Sequence, residues 1–489
     1  MMTSPVIMWF RRDLRLTDNT ALDAAVRSGQ PIVPVFIADP KITSSPRSGL
    51  PRLYFLLNAL ESLAESLRQV GGYLRLEEGD PIQALPRLIE ELQASALYFN
   101  ADYSPYAHQR DNRIIHALRV PTHRFDDTAL KPPESVLKAD GRPYTVYTPY
   151  RNNWNTQPKG QVIPTVLNAR HFYTGTDHQP MITSPRALPT FAEVATAAYD
   201  HLPPATPQAA QNLLDAFVRK DLLGYDTTRN GLPVNPWASI RPAGTSYLSP
   251  YLRLGLLSPR QAYHAARSAY ARISDKAQRQ SIETWVSELA WRDFYMQILY
   301  HFPHVLHKDF VSTYEALAWQ DDTHALQAWR EGMTGYPVVD APMRQLRAIG
   351  WMPNRARMIV ASFLTKHLLI HWKHGDLHFM QHLIDGDPAS NNGGWQWAAG
   401  TGTDAQPYFR IFNPVTQSEK FATPEYLRYW VPELMTVPDK FIHTPWLAPQ
   451  KPKGYPDPII EHTFARNRTL EAFKKAREIY EAKHKEGKT

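Results

Sequence analysis

The chain has 489 residues, of which 43% are hydrophobic and 21% are charged, as is ordinary for a globular protein of two or three domains. It contains no cysteine, which excludes disulfides, iron–sulfur clusters and thiolate zinc sites. The 54 Lys and Arg residues outnumber the 47 Asp and Glu residues, and the resulting net charge of +7 is compatible with a polyanionic partner such as nucleic acid.

No part of the sequence indicates a membrane segment or an export signal. No apolar run approaches the ~18 residues that a membrane helix needs. The N-terminal stretch MMTSPVIMWFRRDLRL lacks the basic start and long apolar core of a secretory signal, and Asp13 directly after Arg11 and Arg12 argues against twin-arginine export. We therefore expect a cytoplasmic protein without a membrane partner.

Residues 6–126 alternate between buried strands and amphipathic helices. Strands are predicted at VIMWF, IVPVFIAD, YLRLEEG, ALYFN and THRFDD. The helices are predicted at NTALDAAVRSG, which Asn19 opens, and at RLYFLLNALESLAESLRQVG, DPIQALPRLIEELQA and RDNRIIHALR. The alternation predicts a doubly wound parallel sheet with helices on both faces, over residues 1–130. The ordinary dinucleotide fingerprint, Gly-x-Gly-x-x-Gly, is missing after the first strand.

The rest of the chain divides into a linker and a helical domain. Residues 131–207 are rich in Pro, Thr and Asn and predict a long surface connection with a few short helices. Residues 208–489 carry amphipathic helical patterns without convincing strands, which predicts an all-helical domain.

The stretch AGTSYLSPYLRLGLLSPRQ predicts a turn rich in hydroxyl groups that enters one of these helices. Thr245, Ser246 and Ser249 supply the hydroxyls. On one interpretation the serines are helix caps, with Ser249 and Ser258 each preceding a proline. On the other, backbone N–H groups and hydroxyls at a helix start form a cradle for phosphate.

The stretch SIETWVSELAWRDFYMQILY predicts an amphipathic helix with a mixed aromatic and charged face. Spacings of three and four place on that face Glu288, Trp291, Arg292 and Tyr295. A structural interpretation is a Glu288–Arg292 ion pair beside buried aromatics. A functional interpretation is a pocket wall, where tryptophans stack on flat rings and a carboxyl group meets a carbonyl or imide.

Pro353 and Asn354 predict the cap of a helix through NRARMIVASFLTKHLLIHW. One stripe of this helix would carry Met358, Ala361, Thr365, Leu368 and Trp372. Core packing explains the apolar members of the stripe. It does not explain why Asn354, Arg357 and Met358 cluster at one end, where a polar ligand could meet a flexible thioether.

The segment NNGGWQWAAGTGTD, residues 391–404, is predicted to turn sharply rather than to extend a helix, because it is rich in Gly, Asn and Asp. Trp395 and Trp397 lie within it, although large rings usually require burial. Asp385 and Asp387 lie just upstream, so the segment predicts indoles packed close to carboxylates.

Histidines recur at intervals of three or four at positions 367, 371, 374, 378 and 382. Gly375 and Asp376 interrupt the helical pattern, and no His-Glu-x-x-His arrangement is present. We therefore expect hydrogen-bonded or solvent-facing histidines and no metal site.

Together the motifs resemble those of the photolyase/cryptochrome flavoproteins, in the same order and over nearly the whole chain. They are WFRRDLRLTDN, GTSYLSPYL, ELAWRDFY, TGYPVVDAPMRQL, NRARMIVASFLTK and DGDPASNNGGWQWAAGTGTDAQPYFRIFNP. The resemblance implies an α/β antenna domain, a linker and a helical FAD-binding domain. It further implies a class I cyclobutane pyrimidine dimer DNA photolyase, which splits the dimers by light-driven electron transfer from reduced FAD. The alternative is a cryptochrome-type blue-light photoreceptor without repair activity.

The resemblance implies which residues surround FAD: Tyr225, Thr245, Ser246, Tyr247, Leu248, Ser249, Trp285, Glu288, Arg357, Asp385, Gly386, Asp387 and Asn391. The hydroxyl-rich turn would lie near the diphosphate, and Asn391 would face the flavin N5. Plant cryptochromes tend to carry aspartate and animal cryptochromes cysteine at that position, so Asn391 favours repair. Tyr247 departs from the arginine or small residue that many relatives carry.

The resemblance also implies a substrate pocket formed by Glu288, Trp291, Asn354, Met358 and Trp397, together with the flavin-facing Asn391. A flipped thymine dimer would stack on the two tryptophans, and Glu288 would hydrogen-bond the C4 carbonyl and N3–H edge of the pyrimidine. The (6-4) photolyases carry histidines where this chain has Asn354 and Met358, which favours cyclobutane dimers.

Further implied roles concern electrons, DNA and light harvesting. Electrons would pass along Trp319, Trp372 and Trp395. Contacts to UV-damaged DNA would come from Arg229, Arg292, Arg355, Arg410, Gln417 and Lys420, with phosphate contacts setting affinity rather than sequence preference. The protein would be a monomer, associated with the nucleoid when bound to DNA.

The antenna segment NADYSPYAHQRD is more similar to deazaflavin-binding photolyases, with Asp102 as a candidate contact. Folate-binding relatives tend to show an Asn-Glu pair where this chain has Tyr106 and Ala107, which disfavours methenyltetrahydrofolate. An FMN antenna or an empty site remains open.

Overall fold

The computed structural model describes residues 4–174, 184–196, 199, 201–234 and 244–486. The chain divides into two compact units. The first consists of Met1–Asp226, Thr245–His301 and Ile384–Gly386. The second consists of Thr227–Gly244, Phe302–Leu383 and Asp387–Thr489.

The first unit is built around a five-stranded parallel sheet. Its strands are β1 (Val6–Phe10), β2 (Ile32–Ala38), β3 (Arg75–Glu78), β4 (Ala96–Asn100) and β5 (Thr122–Phe125). They are ordered β3-β2-β1-β4-β5, and every pair is parallel. All residues of β1, β2 and β4 are buried, as expected for central parallel strands covered on both faces. The five predicted strands and the doubly wound parallel sheet are confirmed.

Helices that accompany the sheet are α1 (Thr20–Arg27), α2 (Pro40–Thr43), α3 (Leu50–Gln69), α4 (Pro81–Leu92) and α5 (Pro105–Ala117). The Asn19 side chain accepts a hydrogen bond from the Leu22 N–H, which confirms Asn19 as the cap of α1. Helix α5 begins before the predicted stretch because Ser104 caps it and a proline follows.

The chain continues with α6 (Tyr147–Thr156), α7 (Ala192–Ala195), α8 (Pro207–Lys220), α9 (Tyr225–Thr228), α10 (Ser249–Leu254), α11 (Pro259–Arg272) and α12 (Lys276–His301). The predicted linker supplies α6, whose Tyr147, Tyr150 and Trp154 are buried, so this part of it packs into the first unit. Positions 175–183, 197, 198 and 200 of the linker lie outside the described residues. The boundaries at residues 130 and 207 stay predictions.

Among its described residues, the second unit contains helices joined by loops and no strand. It contains α13 (Thr323–Glu331), α14 (Pro337–Ile349), α15 (Asn354–Ser362), α16 (Trp372–His382), α17 (Pro388–Ala399), α18 (Pro414–Phe421), α19 (Pro424–Trp430) and α20 (His462–Glu486). Its core includes the fully buried Trp329, Leu346 and Trp372. The predicted helical character of the C-terminal part is confirmed.

The prediction of a sharp turn at residues 391–404 is wrong as far as Ala399, because α17 includes these residues. The Asp387 carboxylate accepts hydrogen bonds from the N–H groups of Ala389 (3.0 Å) and Ser390 (3.2 Å), and a proline follows at the first helical position. Burial of Trp395 on one face of α17 outweighs the cost of about 1 kcal/mol for each helical glycine. Gly400, with φ of 78°, ends the helix.

The predicted stripe from Met358 to Trp372 is also interrupted. Pro353 occupies the N-cap position of α15, as predicted, without a side-chain hydrogen bond. The helix ends at Ser362, and a π-helical turn, Phe363–His367, follows. Leu369 adopts a left-handed conformation, with φ of 56°, so α16 starts in a new direction at Trp372.

Within the described ranges, no helix is both long and apolar enough to cross a membrane. Over the same ranges, no cluster of His, Cys, Asp and Glu side chains could hold a metal ion. His367 and His378 are buried rather than solvent-facing. His367 Nε2 lies 2.9 Å from His462 Nδ1, and His382 Nδ1 lies 2.9 Å from the His378 carbonyl oxygen. The side chains of His367, His462 and His382 are therefore hydrogen-bonded.

Candidate functional site

Tyr225 and Trp285 come together in the first unit around one phenylalanine. The Trp285 ring centroid lies 5.4 Å from that of Phe217, and the Tyr225 centroid lies 5.9 Å from it. Both predicted flavin residues are almost fully buried. Glu288 follows Trp285 by about one helical turn on α12, and Trp291 follows by about two; both are partly exposed. This helix therefore presents a carboxyl group and an indole beside the buried rings of Tyr225 and Trp285.

Trp291 is stacked face to face on Tyr147 of α6. The ring centroids are 3.5 Å apart and the planes differ by 8°. Tyr147 is not among the site residues predicted from the sequence, because the surrounding segment is predicted to be a surface connection. The available signal was the spacing of Tyr147, Tyr150 and Trp154, which places three aromatic rings on one face of a helix.

Arg292 does not fit the predicted DNA contact. Its guanidinium donates hydrogen bonds to the carbonyl groups of Thr128 (2.6 Å) and Leu252 (3.3 Å), and 15% of its side chain is exposed. A guanidinium that is held by two backbone carbonyls stabilises the packing of α12. We therefore leave Arg292 out of the DNA surface proposed below.

The hydroxyl-rich turn meets the carboxylate of Asp385. Ser249 Oγ donates to Asp385 Oδ2 at 2.6 Å, and Arg253 Nε donates to the Gly386 carbonyl at 2.8 Å. The interpretation of Ser249 as a cap is wrong, since Ser249 is the first residue of α10 and Leu248 precedes it. Its hydroxyl donates to Asp385.

Two further observations on this stretch distinguish its interpretation as a run of helix caps from its interpretation as a phosphate site. Ser258 caps α11 with a full capping box, which confirms the structural interpretation at that position. Tyr247, which is almost fully buried, adopts a left-handed conformation with φ of 52°. Because such conformations are strained for residues other than glycine and cluster at ligand sites, Tyr247 favours the phosphate interpretation beside Thr245 and Ser246.

In the second unit, the start of α15 brings two predicted substrate residues into contact. Asn354 Nδ2 lies 3.8 Å from Met358 Sδ, with Asn354 exposed and Met358 partly buried. Arg357 turns back so that its Nε donates to the Met352 carbonyl at 2.8 Å. The N-terminal turn of α15 thus presents an amide and a thioether side by side.

Asn391 is oriented by Asp376. Its Nδ2 donates to the Asp376 carbonyl at 2.9 Å and to the Asp376 carboxylate at 2.6 Å. These two bonds use both N–H groups of the amide, so a further contact of this side chain would be made through its oxygen as acceptor. Asp387, another predicted flavin residue, caps α17.

The three predicted electron-transfer tryptophans belong to one packed cluster. The Trp319 ring centroid lies 5.1 Å from that of His371, and His371 lies 5.4 Å from Trp372. Trp395 packs on α16 at Gly375, three residues after Trp372. Trp372 and Trp395 are buried, whereas Trp319 is partly exposed, so the cluster extends from the core to the surface.

A buried carboxylate contacts the middle tryptophan. Trp372 Nε1 donates to Asp309 Oδ1 at 2.7 Å. Burial raises the pKa of Asp309, while the hydrogen bonds from Trp372 and Thr401 oppose that rise. No sequence pattern indicates this pair, because the two residues are far apart in the chain and only the fold brings them together.

A basic cluster in the second unit surrounds Phe421. The Arg355 guanidinium lies 4.6 Å and the Lys420 ammonium 5.3 Å from the Phe421 ring centroid. Burial and the nearby charge of Arg229 lower the pKa of Arg355, whose guanidinium also donates to Asn230. Like charges held this close favour an anion as partner.

The remaining predicted DNA residues differ in exposure. Arg410 is exposed after the end of α17, and Gln417 of α18 is partly buried. Gln417 lies one helical turn before Phe421 on the same helix, whereas Arg410 precedes that helix in the chain.

Asp102, the candidate antenna contact, is held by an arginine. Arg12 Nη1 lies 3.3 Å from Asp102 Oδ1, which also accepts the Ser104 N–H at 3.0 Å. The positive charge of Arg12 and the Ser104 N–H hold the pKa of this carboxyl well below its usual range, although burial opposes them. Nearby, the Tyr106 hydroxyl donates to Asp39 Oδ2 at 2.6 Å.

The donor chemistry of the predicted flavin residues fits FAD. In the first unit, hydroxyl groups at a strained turn suit an anionic diphosphate, and the Asp385 carboxylate suits sugar hydroxyls. In the second unit, the Arg357 guanidinium and the Asn391 amide supply the donor and acceptor that a flavin ring edge requires.

Two family models match the chain. One, described as the FAD binding domain of DNA photolyase, matches residues 285–475, and the other, described as DNA photolyase, matches residues 6–168. A relative, the deoxyribodipyrimidine photo-lyase of Synechococcus sp., is 41% identical over 469 residues, which cover 94% of each protein.

Solved structures of similar proteins cover nearly the whole chain. A bacterial class III photolyase from Agrobacterium tumefaciens has a TM-score of 0.87 and 37% identity, covering 98% of each chain. A cryptochrome from Synechocystis sp. has a TM-score of 0.83 and 29% identity, covering 96% of this chain and 100% of the other.

Proposed function

The chain belongs to the DNA photolyase family, and from this membership we propose that it repairs cyclobutane pyrimidine dimers in DNA as a class I photolyase. As a photolyase it is an FAD-binding lyase that acts on damaged DNA. FAD, when bound and fully reduced, supplies one electron on excitation by light and takes it back after two carbon–carbon bonds of the dimer have split.

The observation that carries the choice of substrate is the Asn354–Met358 contact at the start of α15. An amide and a thioether there offer a neutral, adaptable surface to a pyrimidine pair. The (6-4) photolyases, by the resemblance described above, use histidines at these two positions. The pair therefore supports cyclobutane dimers as the substrate.

The proposal assigns the reacting lesion to Glu288 and to the indoles of Trp291 and Trp397. The carboxyl group of Glu288 hydrogen-bonds the pyrimidine edge and stabilises the negative charge that develops there. The indoles stack on the extrahelical bases and exclude water from them. Asn391, oriented by Asp376, accepts a hydrogen bond through its amide oxygen.

DNA binding is assigned to the basic cluster around Phe421. Arg229, Arg355 and Lys420 neutralise phosphates, which sets affinity and orientation without reading sequence. Arg410 and Gln417 stay predicted contacts of the same strand. For light harvesting, the proposal keeps a deazaflavin-type antenna at Asp102, and the absorption spectrum of the purified protein tests it against folate, FMN or no antenna.

The experiment uses one oligonucleotide sequence with either a cyclobutane thymine dimer or a (6-4) photoproduct. Reduced protein is illuminated with blue light on each, and restored thymines are counted. The proposal predicts restoration of the cyclobutane dimer alone. Restoration of the (6-4) product would contradict the assignment that rests on Asn354 and Met358.

The second candidate function is a cryptochrome-type photoreceptor. The observation that favours it is the tryptophan cluster from Trp395 to the partly exposed Trp319, which photoreduction of flavin would use in either class of protein. Photoreduction without restoration of either lesion would support this candidate against repair.

A further inference from the structure

Tyr147, the first residue of α6, covers one face of the Trp291 indole. The centroid separation of 3.5 Å and the near-parallel planes describe a full stack rather than an edge contact. The Tyr147 hydroxyl also donates to the Ser287 carbonyl at 2.8 Å. Because Ser287 lies one helical turn before Trp291 on α12, Tyr147 is held by both the backbone and the indole of that helix.

Helix α6 is itself fixed to α12. The Tyr150 ring centroid lies 5.2 Å from that of Phe294, and Trp154 Nε1 donates to Asp293 Oδ2 at 2.9 Å. These contacts follow the face of α6 that begins with Tyr147. The position of the Tyr147 ring therefore depends on a helix–helix contact rather than on a surface loop.

Because Tyr147 stacks on one face of the Trp291 indole, a base could stack only on the opposite face. Tyr147 is 7% exposed, so the covered side of the indole is dry. The Phe294 ring meets the indole at an angle of 82° with a centroid distance of 5.6 Å, which restricts the rotation of the indole. Trp291 nevertheless stays partly exposed, although the Tyr295 ring also approaches it, with a centroid distance of 5.5 Å and planes that differ by 31°.

We propose that Tyr147 is a positioning residue for lesion recognition, which locks the Trp291 indole so that a flipped pyrimidine stacks on its opposite face. The inference rests on the proposed function, since it takes Trp291 as the residue that receives the dimer. The physical gain is preorganisation: an indole that is already ordered in the free protein does not lose rotamer freedom when the lesion binds.

The test compares three variants by their dissociation constants for a duplex with one thymine dimer and for the same duplex undamaged. Tyr147→Leu removes the stack, and we expect it to weaken dimer binding roughly three- to tenfold without changing binding to undamaged DNA. Tyr147→Phe keeps the ring and should bind the dimer as the wild type does. Tyr150→Leu, the matched comparison, removes a ring of the same helix that packs on Phe294 and not on the indole, and it should weaken dimer binding clearly less than Tyr147→Leu does.

A double-mutant cycle with Trp291→Ala separates positioning from general support of the fold. If Tyr147 acts through the indole, Tyr147→Leu has no further effect in the Trp291→Ala background. Equal weakening in both backgrounds, or equal weakening by Tyr150→Leu, would overturn the inference. Melting temperatures accompany every measurement, and Tyr147→Met replaces Tyr147→Leu if the latter does not fold.

The two proposals fail in different ways. Wild-type protein that binds damaged and undamaged duplex equally would overturn the proposed function, and the inference with it. Wild-type protein that binds and repairs the dimer, together with a Tyr147→Leu variant that does the same, would overturn the inference alone.

Discussion

At the scale of single residues, the structure pairs several predicted functional side chains with partners that orient them. Asp376 accepts hydrogen bonds from the side-chain amide of Asn391, and Asp385 accepts one from the Ser249 hydroxyl. The ring of Tyr147 stacks on that of Trp291. Residue type and spacing indicated Ser249 and Trp291, and the resemblance to the photolyase/cryptochrome family implied Asn391. Their partners could not be identified in this way, because each partner belongs to another part of the chain and becomes a neighbour only through the fold.

The buried Asp309–Trp372 pair leads to a prediction about electron transfer. Asp309→Asn keeps an acceptor for the Trp372 N–H but removes a negative charge that stabilises an oxidised indole. We expect photoreduction of the oxidised protein to slow by roughly three- to tenfold. Transient absorption after a light pulse measures the rate.

The control for Asp309→Asn is repair by protein that has been reduced chemically, since that reaction does not use the tryptophans. Repair should equal that of the wild type. An unchanged photoreduction rate in the variant would contradict the assigned role of Trp372 or of its carboxylate partner.

At the scale of secondary-structure elements, packing decides what composition does not. The run of Gly and Asn in α17 predicted a turn, but Asp387 caps a helix there and burial of Trp395 retains it. In the opposite direction, the helical pattern through Thr365 predicted one helix, whereas a π-helical turn and the left-handed Leu369 divide it. Both deviations arise from contacts made by side chains that are distant in sequence.

Two glycines in these helices should respond oppositely to alanine. A Cβ at Gly375 would lie 2.1 Å from the Trp395 indole, whereas one at Gly394 meets nothing within 4 Å. We expect Gly375→Ala to destabilise the protein by ~1–3 kcal/mol, because the indole must move. Gly394→Ala should stabilise it by ~0.5–1 kcal/mol, through the lower conformational entropy of the unfolded chain.

Urea unfolding of both variants, with the photoreduction rate as a second readout, checks this prediction. The displacement of Trp395 should slow photoreduction in Gly375→Ala and not in Gly394→Ala. Similar effects of the two substitutions on stability would contradict the packing of α16 on α17.

The docking of α20 on the π-helical turn predicts a pH dependence of stability. His367 contacts His462, and Arg468 donates to the His367 carbonyl at 2.5 Å. Burial and the charges of His462 and Arg468 lower the pKa of His367 from 6.5 to about 3, while Glu461 opposes them. The unfolded chain therefore binds a proton that the folded chain does not, and stability falls as pH decreases from 6.5 towards 3.

The matched variant His367→Gln removes this titration. Two pH units below the unfolded pKa, the wild type should lose about 2–3 kcal/mol through this group, and the variant should lack that share. Urea unfolding at neutral and at acidic pH measures the difference. Parallel pH profiles of the two proteins would contradict the assignment to His367.

At the scale of the whole molecule, the sequence predicted most of the architecture and part of the candidate site. The strong alternation near the N-terminus predicted five strands in a parallel sheet, and the helical periodicities predicted the helical character of the C-terminal part. The segment around Tyr147 shows where this reasoning stops. Its abundant Pro and Asn indicated a surface connection, but its three aromatic residues make α6 part of the packing of the first unit.

Charge at this scale is informative only through its distribution. A net charge of +7 is mild for a protein of 489 residues. Arg355 and Lys420 both lie within 5.3 Å of the centre of the Phe421 ring and Arg229 lies close to Arg355, whereas the Arg292 guanidinium is held by backbone carbonyl groups. The positive charges that are held together, rather than the total charge, support a phosphate partner.

The most direct measurement of the central claim counts restored thymines in an oligonucleotide with one cyclobutane thymine dimer, incubated with reduced protein under blue light and in darkness. We predict restoration that requires light and is largely lost in Glu288→Ala and Trp291→Ala. Bound flavin that photoreduces normally, without any restored thymine under light, would contradict the account and assign the chain to the photoreceptors of its family.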